Sequence, residues 1–230
     1  MTQTWRELLF LHWPVEPSEI QRQIPDELEL DLYDNRAWVG IVLFKARGTR
    51  PRFMPPIPGS ANFLEVNVRT YVKYNNKSGV YFFSLDANSK LAVEIASFGG
   101  FLPYRMAEMA FEKNKGQILY KSEARGTATP KEKIALRYRI SSQPAVSTEL
   151  EKWLTERYCL WTKPERHLLW LDIVHKPWKL KYVQGDITVN TMAPYLSNNF
   201  KNEKPMAHYS KVKKVRFFPP VIETIKPPKP

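Results

Sequence analysis

The segment from residue 62 to residue 72 alternates between two kinds of side chain. One set of positions is mostly apolar and the other is polar: Leu64, Val66, Val68, Thr70 and Val72 against Glu65, Asn67, Arg69 and Tyr71. A two-residue period predicts a β-strand with two different faces, of which the apolar face packs against a core. Side chains two apart on a strand lie about 6.6 Å apart, so one small molecule could contact several groups of the polar face.

Alternating or continuously apolar segments recur along the chain and predict about ten strands, for example at 5–15, 28–33, 37–45, 134–141 and 206–218. The stretches 34–35, 75–79 and 114–116 are typical of hairpin turns, which join antiparallel strands. Sequential antiparallel strands in this number usually close, or nearly close, because closure removes exposed strand edges. The predicted fold class is therefore mainly β, antiparallel and barrel-like, with short helices.

Short helices are predicted at three places. Ser18 is a candidate N-cap for a helix through Gln23, and residues 88–98 show a helical period that ends before two glycines. The stretch 148–151 reads Thr-Glu-Leu-Glu, a capping box that predicts a helix to about Arg157.

The domain organisation predicted from the sequence is one β domain over residues 1–218, followed by a tail over residues 219–230. The tail contains five prolines and is expected to be extended and flexible. Residues 47–58 carry four prolines and three arginines. A long loop of this kind is either functional or a basic surface flap, and the sequence leaves both interpretations open.

Several classes of protein are disfavoured by composition. No apolar run approaches the roughly 18 residues of a membrane span, and the first seven residues include Glu7 and lack a signal-peptide pattern. Cys159 has no second cysteine with which to form an internal disulfide, which suits a reducing compartment. These observations predict a cytoplasmic protein with no membrane partner.

The formal net charge of +12 allows two interpretations. A basic chain can bind nucleic acid, but lysines and arginines spread along the whole chain are also typical of a solvated basic surface. RNA-binding, helix-turn-helix and zinc-finger patterns are missing, so sequence-specific nucleic-acid binding is not expected. The charge alone supports weak, salt-sensitive attraction to nucleic acid or to an acidic partner, which is the alternative function class.

Several long motifs, in order over nearly the whole chain, resemble the YqjF-like proteins, a bacterial family known as domain of unknown function 2071. They are Leu-His-Trp-Pro-Val at 11–15, Tyr-Asp-Asn-Arg-Ala-Trp-Val-Gly at 33–40, the strand at 65–72, Gly-Val-Tyr-Phe-Phe-Ser-Leu-Asp-Ala at 79–87, Leu-Pro-Tyr at 102–104 and Ala-His-Tyr-Ser at 207–210. The resemblance implies an acetoacetate decarboxylase-like fold, a cone-shaped antiparallel β-barrel with a central pocket.

The same resemblance allows one activity to be weighed. Acetoacetate decarboxylases carry a Gly-Phe-Pro-Lys-Lys motif whose first lysine forms a Schiff base, helped by the second lysine. The matching stretch here is Phe-Leu-Pro-Tyr-Arg, which puts Tyr104 at the position of the nucleophile and Arg105 beside it. A phenol cannot form an imine, and a guanidinium stays protonated. Schiff-base decarboxylation is therefore not expected, and whether the chain is an enzyme is left open.

The candidate ligand pocket consists of Glu65, Asn67, Arg69, Tyr104 and Arg105, around a small anionic or carbonyl-bearing organic molecule. Arginine offers donors that suit a carboxylate, Glu65 is a candidate partner for Arg69, and a buried glutamate can act as a base. In the alternative interpretation the same face is wet, and Glu65 and Arg69 form a surface ion pair of little energetic value.

Two histidines are weaker candidates. His12 and His208 lie in the family motifs, although each could equally be a core residue. No metal site is predicted, because neither a His-x-His nor a His-Glu-x-x-His pattern occurs. No cofactor is expected. Cys159 is interpreted as a packing residue rather than a nucleophile.

Overall fold

The structure is a computed structural model that describes residues 1–50, 55, 61–97, 101–126, 131–197 and 202–223, with the backbone alone at 95–97. Three helices in this part of the chain are α1 (Pro17–Gln21), α2 (Lys90–Ser97) and α3 (Glu149–Thr155). The strands are β1 (Thr2–Val15), β2 (Glu29–Leu30), β3 (Ala37–Arg50), β4 (Phe63–Tyr74), β5 (Lys77–Ala87), β6 (Tyr104–Asn114), β7 (Gln117–Ala124), β8 (Lys133–Pro144), β9 (Cys159–Thr162), β10 (Leu169–Val174), β11 (Lys181–Asn190), β12 (Met206–Phe217) and β13 (Val221–Ile222). The predicted mainly-β class with short helices is confirmed.

The strands form one sheet whose hydrogen-bonded pairings close two rings. The larger ring runs β5-β6-β7-β8-β11-β12-β1-β3-β4 and returns to β5. The smaller ring runs β5-β9-β10-β12-β1-β3-β4 and also returns to β5, through the pairings β5–β9 and β10–β12. Five strands, β12, β1, β3, β4 and β5, therefore belong to both the nine-strand ring and the seven-strand ring.

Two pairings depart from the predicted antiparallel arrangement. Strand β5 runs parallel to β6 and parallel to β9. The chain passes from β5 to β6 through α2 instead of a hairpin, and a crossover of this length returns the chain in the same direction. The remaining pairings in the described sheet are antiparallel, as the short turns predict.

The hairpin turns form where the sequence predicts them. Asp34 and Asn35 have φ values of 49° and 58°, and Asn75 and Asn76 have φ values of 47° and 63°. Positive φ at both central residues gives the turn whose twist matches a β-hairpin, and asparagine tolerates that conformation well.

Three boundaries differ from the predictions. Strand β2 keeps only two of the six residues predicted at 28–33, because the Tyr33–Arg36 bridge turns the chain away from β4. Helix α1 begins at Pro17 after Glu16 rather than being capped by Ser18, and proline suits a first helical position. Strand β3 continues to Arg50, into the stretch that was predicted as a loop; most of the rest, 51–54 and 56–58, lies outside the described residues.

The capping box at the start of α3 is confirmed. The Thr148 hydroxyl accepts a hydrogen bond from the Glu151 backbone N–H at 3.3 Å, and the Thr148 N–H donates to the Glu151 carboxylate at 2.7 Å. Two N–H groups at the helix start are satisfied in this way, which stabilises the first turn of α3.

Each of the shared strands β1, β3 and β4 is buried on both faces. Inside the nine-strand ring their side chains form one core with strands β7 and β8, including Leu11, Ile41, Val68, Tyr120 and Leu136. On the opposite face a second core contains Leu8, Phe10, Val42, Phe44 and Trp178. The polar face of β4 belongs to this second side, so the wet-surface interpretation is wrong for Glu65 and Asn67, each only 4% exposed.

The stretch predicted as a tail begins with ordered structure. Val221 and Ile222 form β13, which pairs with Trp170 and Leu169 of β10. The Glu223 carboxylate accepts a hydrogen bond from the Trp170 indole N–H at 3.0 Å. Residues 224–230 lie outside the described part, so the flexible tail stays a prediction there. None of the described helices has the length and apolarity that crossing a membrane would require.

Candidate functional site

The polar face of β4 lines a chamber of about 80 Å³ inside the seven-strand ring. Each of the seven strands of that ring contributes to its wall, together with residues that follow α3 and β10. Its polar and charged lining residues include Glu65, Asn67, Arg69, Tyr104, Arg157 and His175. The remaining wall is largely aromatic and aliphatic, so charged groups in this chamber interact in a poorly solvated environment.

Local strand geometry explains why these residues meet. Glu65, Asn67 and Arg69 occupy alternate positions of β4 and therefore share one face. Tyr104 is the first residue of β6 and lies beside Leu85 of β5, which also lines the chamber. Four of the five predicted pocket residues therefore lie around one cavity.

Glu65 and Tyr104 form the central hydrogen bond of the chamber. The Tyr104 hydroxyl donates to the Glu65 carboxylate at 2.9 Å. Burial raises the pKa of Glu65 to about 7, against the hydrogen bonds from Tyr104 and Asn67, which lower it. Burial, together with the neighbouring Glu65 charge, raises the pKa of Tyr104 well above its ordinary value, so the phenol keeps its proton. The pair thus combines a carboxyl that exchanges a proton near neutral pH with a permanent hydrogen-bond donor.

Two arginines bring positive charge to the same chamber. Arg157 is 8% exposed; its Nη1 donates to Asp31 at 2.5 Å and its Nε to the Trp153 carbonyl at 2.5 Å. Arg69 Nη2 donates to the Leu154 carbonyl at 3.5 Å.

Each of these arginines keeps one buried nitrogen that no described residue accepts from. The two nitrogens are Arg157 Nη2 and Arg69 Nε, and the buried amide oxygen of Asn67 likewise has no donor in the described chain. Buried polar atoms without partners are uncommon in folded proteins. The arginine nitrogens are cationic donors, which suit an anionic group, whereas the Asn67 oxygen suits a donor.

The pairing of Glu65 with Arg69, offered as one possibility from the sequence, is not formed. Glu65 accepts a hydrogen bond from Tyr104, and Arg69 donates one to the Leu154 carbonyl in α3. They are four positions apart on β4, which corresponds to about 13 Å between their Cα atoms.

We expect the effects of Glu65→Gln and Arg69→Met on the free energy of unfolding to be additive, because groups this far apart interact weakly. The coupling from urea melts of the two single variants and the double variant should stay below about 0.5 kcal/mol. A coupling above about 1 kcal/mol would show that the two charges interact across the chamber.

Arg105 was predicted in the pocket, and the structure places it elsewhere. It forms ion pairs with Asp86 of β5 and with Glu132, and it is absent from the chamber wall. Successive residues of a strand point to opposite faces, so Tyr104 and Arg105 cannot both face the chamber. Tyr104 and Arg105 are adjacent in the sequence motif, but their side chains lie on opposite faces of β6.

The two histidines differ in their surroundings. His12 is fully buried, and neither ring nitrogen has a partner in the described chain. It pairs across β1 and β3 with Gly40, which in turn pairs with Arg69. A Cβ at Gly40 would lie 3.2 Å from the His12 ring and 3.4 Å from Arg69, so glycine permits this close row. Burial, and then the charge of Arg69, lowers the pKa of His12 well below its ordinary value.

His208 anchors α3. Its Nε2 lies 2.9 Å from the carboxylate of Glu151, the capping-box residue. Burial lowers the pKa of His208, although Glu151 opposes that effect. Neither His12 nor His208 contributes to the chamber wall, so neither is positioned to contact a ligand in the chamber.

Sequence reasoning missed Arg157 and His175. Arg157 lies just beyond α3, whose capping box was visible in the sequence, but nothing local indicated that this helix end would cover β4. His175 follows β10 and packs between Tyr158 and Trp178, with ring centroids 4.7 Å from each. No short-range sequence signal identifies such a position, because it depends on the closure of the smaller ring.

Other chemistry in the chamber is limited. Burial raises the pKa of the Cys159 thiol to about 12, so this residue is not activated as a nucleophile. In the described chain, no group of three or more His, Cys, Asp or Glu side chains is arranged to hold a metal ion.

Comparison with known proteins gives matches over almost the whole chain. The model of the family DUF2071, described as an uncharacterized conserved protein, matches residues 2–214. The uncharacterized protein YqjF of Bacillus subtilis (strain 168) is 41% identical over 221 residues, which cover 95% of this chain and 90% of that protein.

Solved structures share the fold at low identity. The acetoacetate decarboxylase of Legionella pneumophila has a TM-score of 0.64 at 12% identity, covering 93% of this chain and 84% of its own. The enduracididine biosynthesis enzyme MppR, complexed with pyruvate, has a TM-score of 0.64 at 8% identity, covering 96% and 89%. An acetoacetate decarboxylase-like enzyme from Sphingomonas wittichii RW1 gives 0.64 at 11%, covering 96% and 92%. Identities this low establish the acetoacetate decarboxylase-like fold alone.

Proposed function

The chain belongs to the DUF2071 family of YqjF-like proteins, and on that premise we propose that it binds a small organic molecule carrying a carboxylate or carbonyl group. The binding site is the chamber on the polar face of β4. The observation that carries the proposal is that two arginines of the chamber wall, Arg157 and Arg69, each keep a buried nitrogen (Nη2 and Nε) without a partner in the described chain.

The energetic argument for an anion is direct. A buried donor left without a partner costs about 1–3 kcal/mol, and a charged group costs more. A carboxylate between the two arginines would satisfy both donors. The chamber volume of about 80 Å³ restricts the ligand to a small molecule.

The fold places this chamber beside the larger ring. We propose that the nine-strand ring is the cone-shaped β-barrel implied by the family resemblance, and that the ligand site lies in the smaller ring that shares five of its strands. The acetoacetate decarboxylase neighbours, with TM-scores of 0.64 and 0.66, support the barrel. Cytoplasmic location is part of the proposal, because Cys159 is a free, buried thiol.

The binding proposal is tested by ligand-observed NMR with pyruvate, acetoacetate and, as an uncharged comparison, acetone. We expect the two acids to bind and Arg69→Met to weaken them at least tenfold. Arg139→Met is the matched control, because Arg139 lies exposed on β8 away from the chamber, and this variant should bind as the wild type does. Equal weakening in both variants, or no binding of any of the three compounds, would refute the proposal.

Schiff-base decarboxylation is not part of this function. No lysine lines the chamber among the residues that the structure describes, and the sequence resemblance implies that Tyr104 stands at the position of the nucleophile. Treating the protein with acetoacetate and sodium borohydride should therefore leave its mass unchanged. An acetoacetate decarboxylase treated in parallel should gain mass, and a gain on any lysine of this chain would contradict the expectation.

A second candidate function rests on a basic groove of about 650 Å³ at one end of the shared strands. Its walls include Arg50, Lys176, Lys214 and Arg216 and contain no acidic residue in the described chain. This groove favours a non-enzymatic interaction with nucleic acid. We expect such binding to fall steeply with salt, and Lys214→Ser with Arg216→Ser to reduce it more than the exposed control Lys121→Ser. Binding of a buried carboxylate should depend on salt far less.

A further inference from the structure

We infer that the Glu65 end of the chamber binds the protonated amino group of a small amine. The site consists of the Glu65 carboxylate and the side-chain oxygen of Asn67, on alternate positions of the chamber face of β4. The inference goes beyond the proposed function, because it assigns a ligand group of opposite charge and needs neither Arg69 nor Arg157.

Both side chains keep acceptor sites that the protein does not use. A carboxylate has about four lone-pair sites, and the Glu65 carboxylate accepts hydrogen bonds from Tyr104 and Asn67. The Asn67 amide oxygen is buried and has no donor in the described chain. It belongs to the same amide group whose nitrogen bonds to Glu65, so the free oxygen lies close to the carboxylate. A group with several N–H donors can therefore serve both acceptors.

The Glu65 carboxylate also has no cation of its own. Among the described residues it forms no ion pair. Arg69 lies four positions along β4 and donates to the Leu154 carbonyl instead. Burial raises the pKa of Glu65, and the neighbouring negative charge of Asp86 raises it further. An ionised carboxylate in this position is costly without a positive partner, and an ammonium ion supplies one.

Apolar side chains surround the two acceptors on the sheet. The cross-strand neighbours of Glu65 and Asn67 are Phe44, Ala87, Val42 and Leu85, and directly paired residues share a face. Above Phe44, the Trp5 ring lies 5.1 Å from the Phe44 ring and 6.3 Å from the Trp178 ring. Aromatic faces attract an ammonium ion, and weak solvation strengthens its attraction to the carboxylate.

The size and burial of the site define the class of amine. Glu65 and Asn67 are each 4% exposed, so the amino group must belong to a molecule that enters the chamber. The volume of about 80 Å³ limits that molecule to a short alkylamine. Methylammonium is the smallest probe with this chemistry, and it presents three N–H donors and one methyl group.

Binding should tighten as the pH rises, because an ammonium ion pairs with the ionised form of Glu65. The pKa of Glu65 is about 7, whereas an alkylamine keeps its proton up to about pH 10. Burial raises the pKa values of Tyr104 and Tyr120 well above their ordinary value, so both phenols stay protonated. Asp86 is held in its ion pair with Arg105. Ionisation of Glu65 alone makes the affinity about 30-fold higher at pH 8 than at pH 5.5.

The test measures methylammonium binding by isothermal titration calorimetry at pH 8 and pH 5.5, with methanol as the uncharged probe of similar size. Excess potassium chloride screens attraction to the protein surface. At pH 8 we expect Glu65→Gln and Asn67→Leu each to weaken binding about tenfold or more, because each removes an acceptor of the ammonium ion. Glu112→Gln, which changes an exposed glutamate of β6, is the matched control and should bind as the wild type does.

A second measurement uses the wild type alone and therefore does not depend on how the variants fold. The carboxyl carbon signals of ¹³C-labelled glutamate report the pKa of Glu65 directly. Saturating methylammonium should lower this pKa below its value in the free protein, because the bound cation favours the carboxylate. A pKa of Glu65 that methylammonium leaves unchanged would overturn the inference.

The remaining outcomes separate this inference from the proposed function. Equal affinity at the two pH values, methanol binding as tight as methylammonium binding, or binding that survives in Glu65→Gln would overturn the amine site. Arg69→Met should weaken pyruvate but leave methylammonium unaffected. Pyruvate binding without methylammonium binding would overturn the amine site and leave the proposed function standing. Methylammonium binding without pyruvate binding would support the amine site and refute the proposed function.

Discussion

Between pH 4.5 and pH 7, the wild-type protein should lose about 3 kcal/mol of unfolding free energy relative to Glu65→Gln. Burial raises the pKa of Glu65 from 4.5 to about 7, so the folded state holds a proton that the unfolded chain releases across this interval. Stability must therefore fall as pH rises through the interval. A shift of this size at 1.36 kcal/mol per pH unit gives about 3 kcal/mol.

Comparison with Glu65→Gln isolates this contribution from other groups. His12 and His208 have lowered pKa values, so they disfavour the folded state at low pH and give the opposite slope in both proteins. Urea melts of both proteins at pH 4.5, 5.5, 6.5 and 7.5 measure the difference. A difference that stays constant with pH would show that Glu65 ionises normally in the folded protein.

Arg105→Met should destabilise the protein by about 3–5 kcal/mol at pH 7. The substitution leaves two carboxylates without their cation, and Asp86 is completely buried. Removing one partner of a buried ion pair costs this amount because the other charge stays desolvated. Burial already raises the pKa of Asp86, and Arg105 opposes that effect, so the loss should shrink as the pH falls and Asp86 becomes protonated.

The control for this prediction is Arg125→Met. Arg125 pairs with Glu108 on the surface, where both side chains are more than half exposed, so its loss should cost less than about 1 kcal/mol. Adding Asp86→Asn and Glu132→Gln to Arg105→Met should recover part of the lost stability in guanidinium melts. A triple variant no more stable than Arg105→Met would show that the charges are not the cause.

The sequence was sufficient to predict most of the strands and the polar face of β4 that lines the chamber. Apolar alternation and asparagine turns act over a few residues, and they correctly predicted β1, β3, β4 and β5 with their hairpins. The shared face of Glu65, Asn67 and Arg69 follows from the same period. The parallel pairings of β5 were beyond such reasoning, because they join segments separated by a helix or by about 80 residues.

The remaining parts of the site depend on tertiary closure. Arg157 and His175 reach the chamber only after α3, β9 and β10 close the smaller ring over β4. The separation of Tyr104 from Arg105 follows from strand alternation, but the sequence motif did not reveal where β6 begins. The unusual ionisation of Glu65 is a consequence of its burial, which no local pattern contains.

The five strands shared by the two rings constrain how the length of this chain can vary. In β4, odd-numbered positions from 65 to 69 face the chamber, while Val66 and Val68 face the larger core. A one-residue insertion or deletion within such a strand would exchange the two sets, placing carboxylate and guanidinium in the core and valines at the ligand. We therefore expect homologues to differ in length at the turns, and the shared strands to accept substitutions but not gaps.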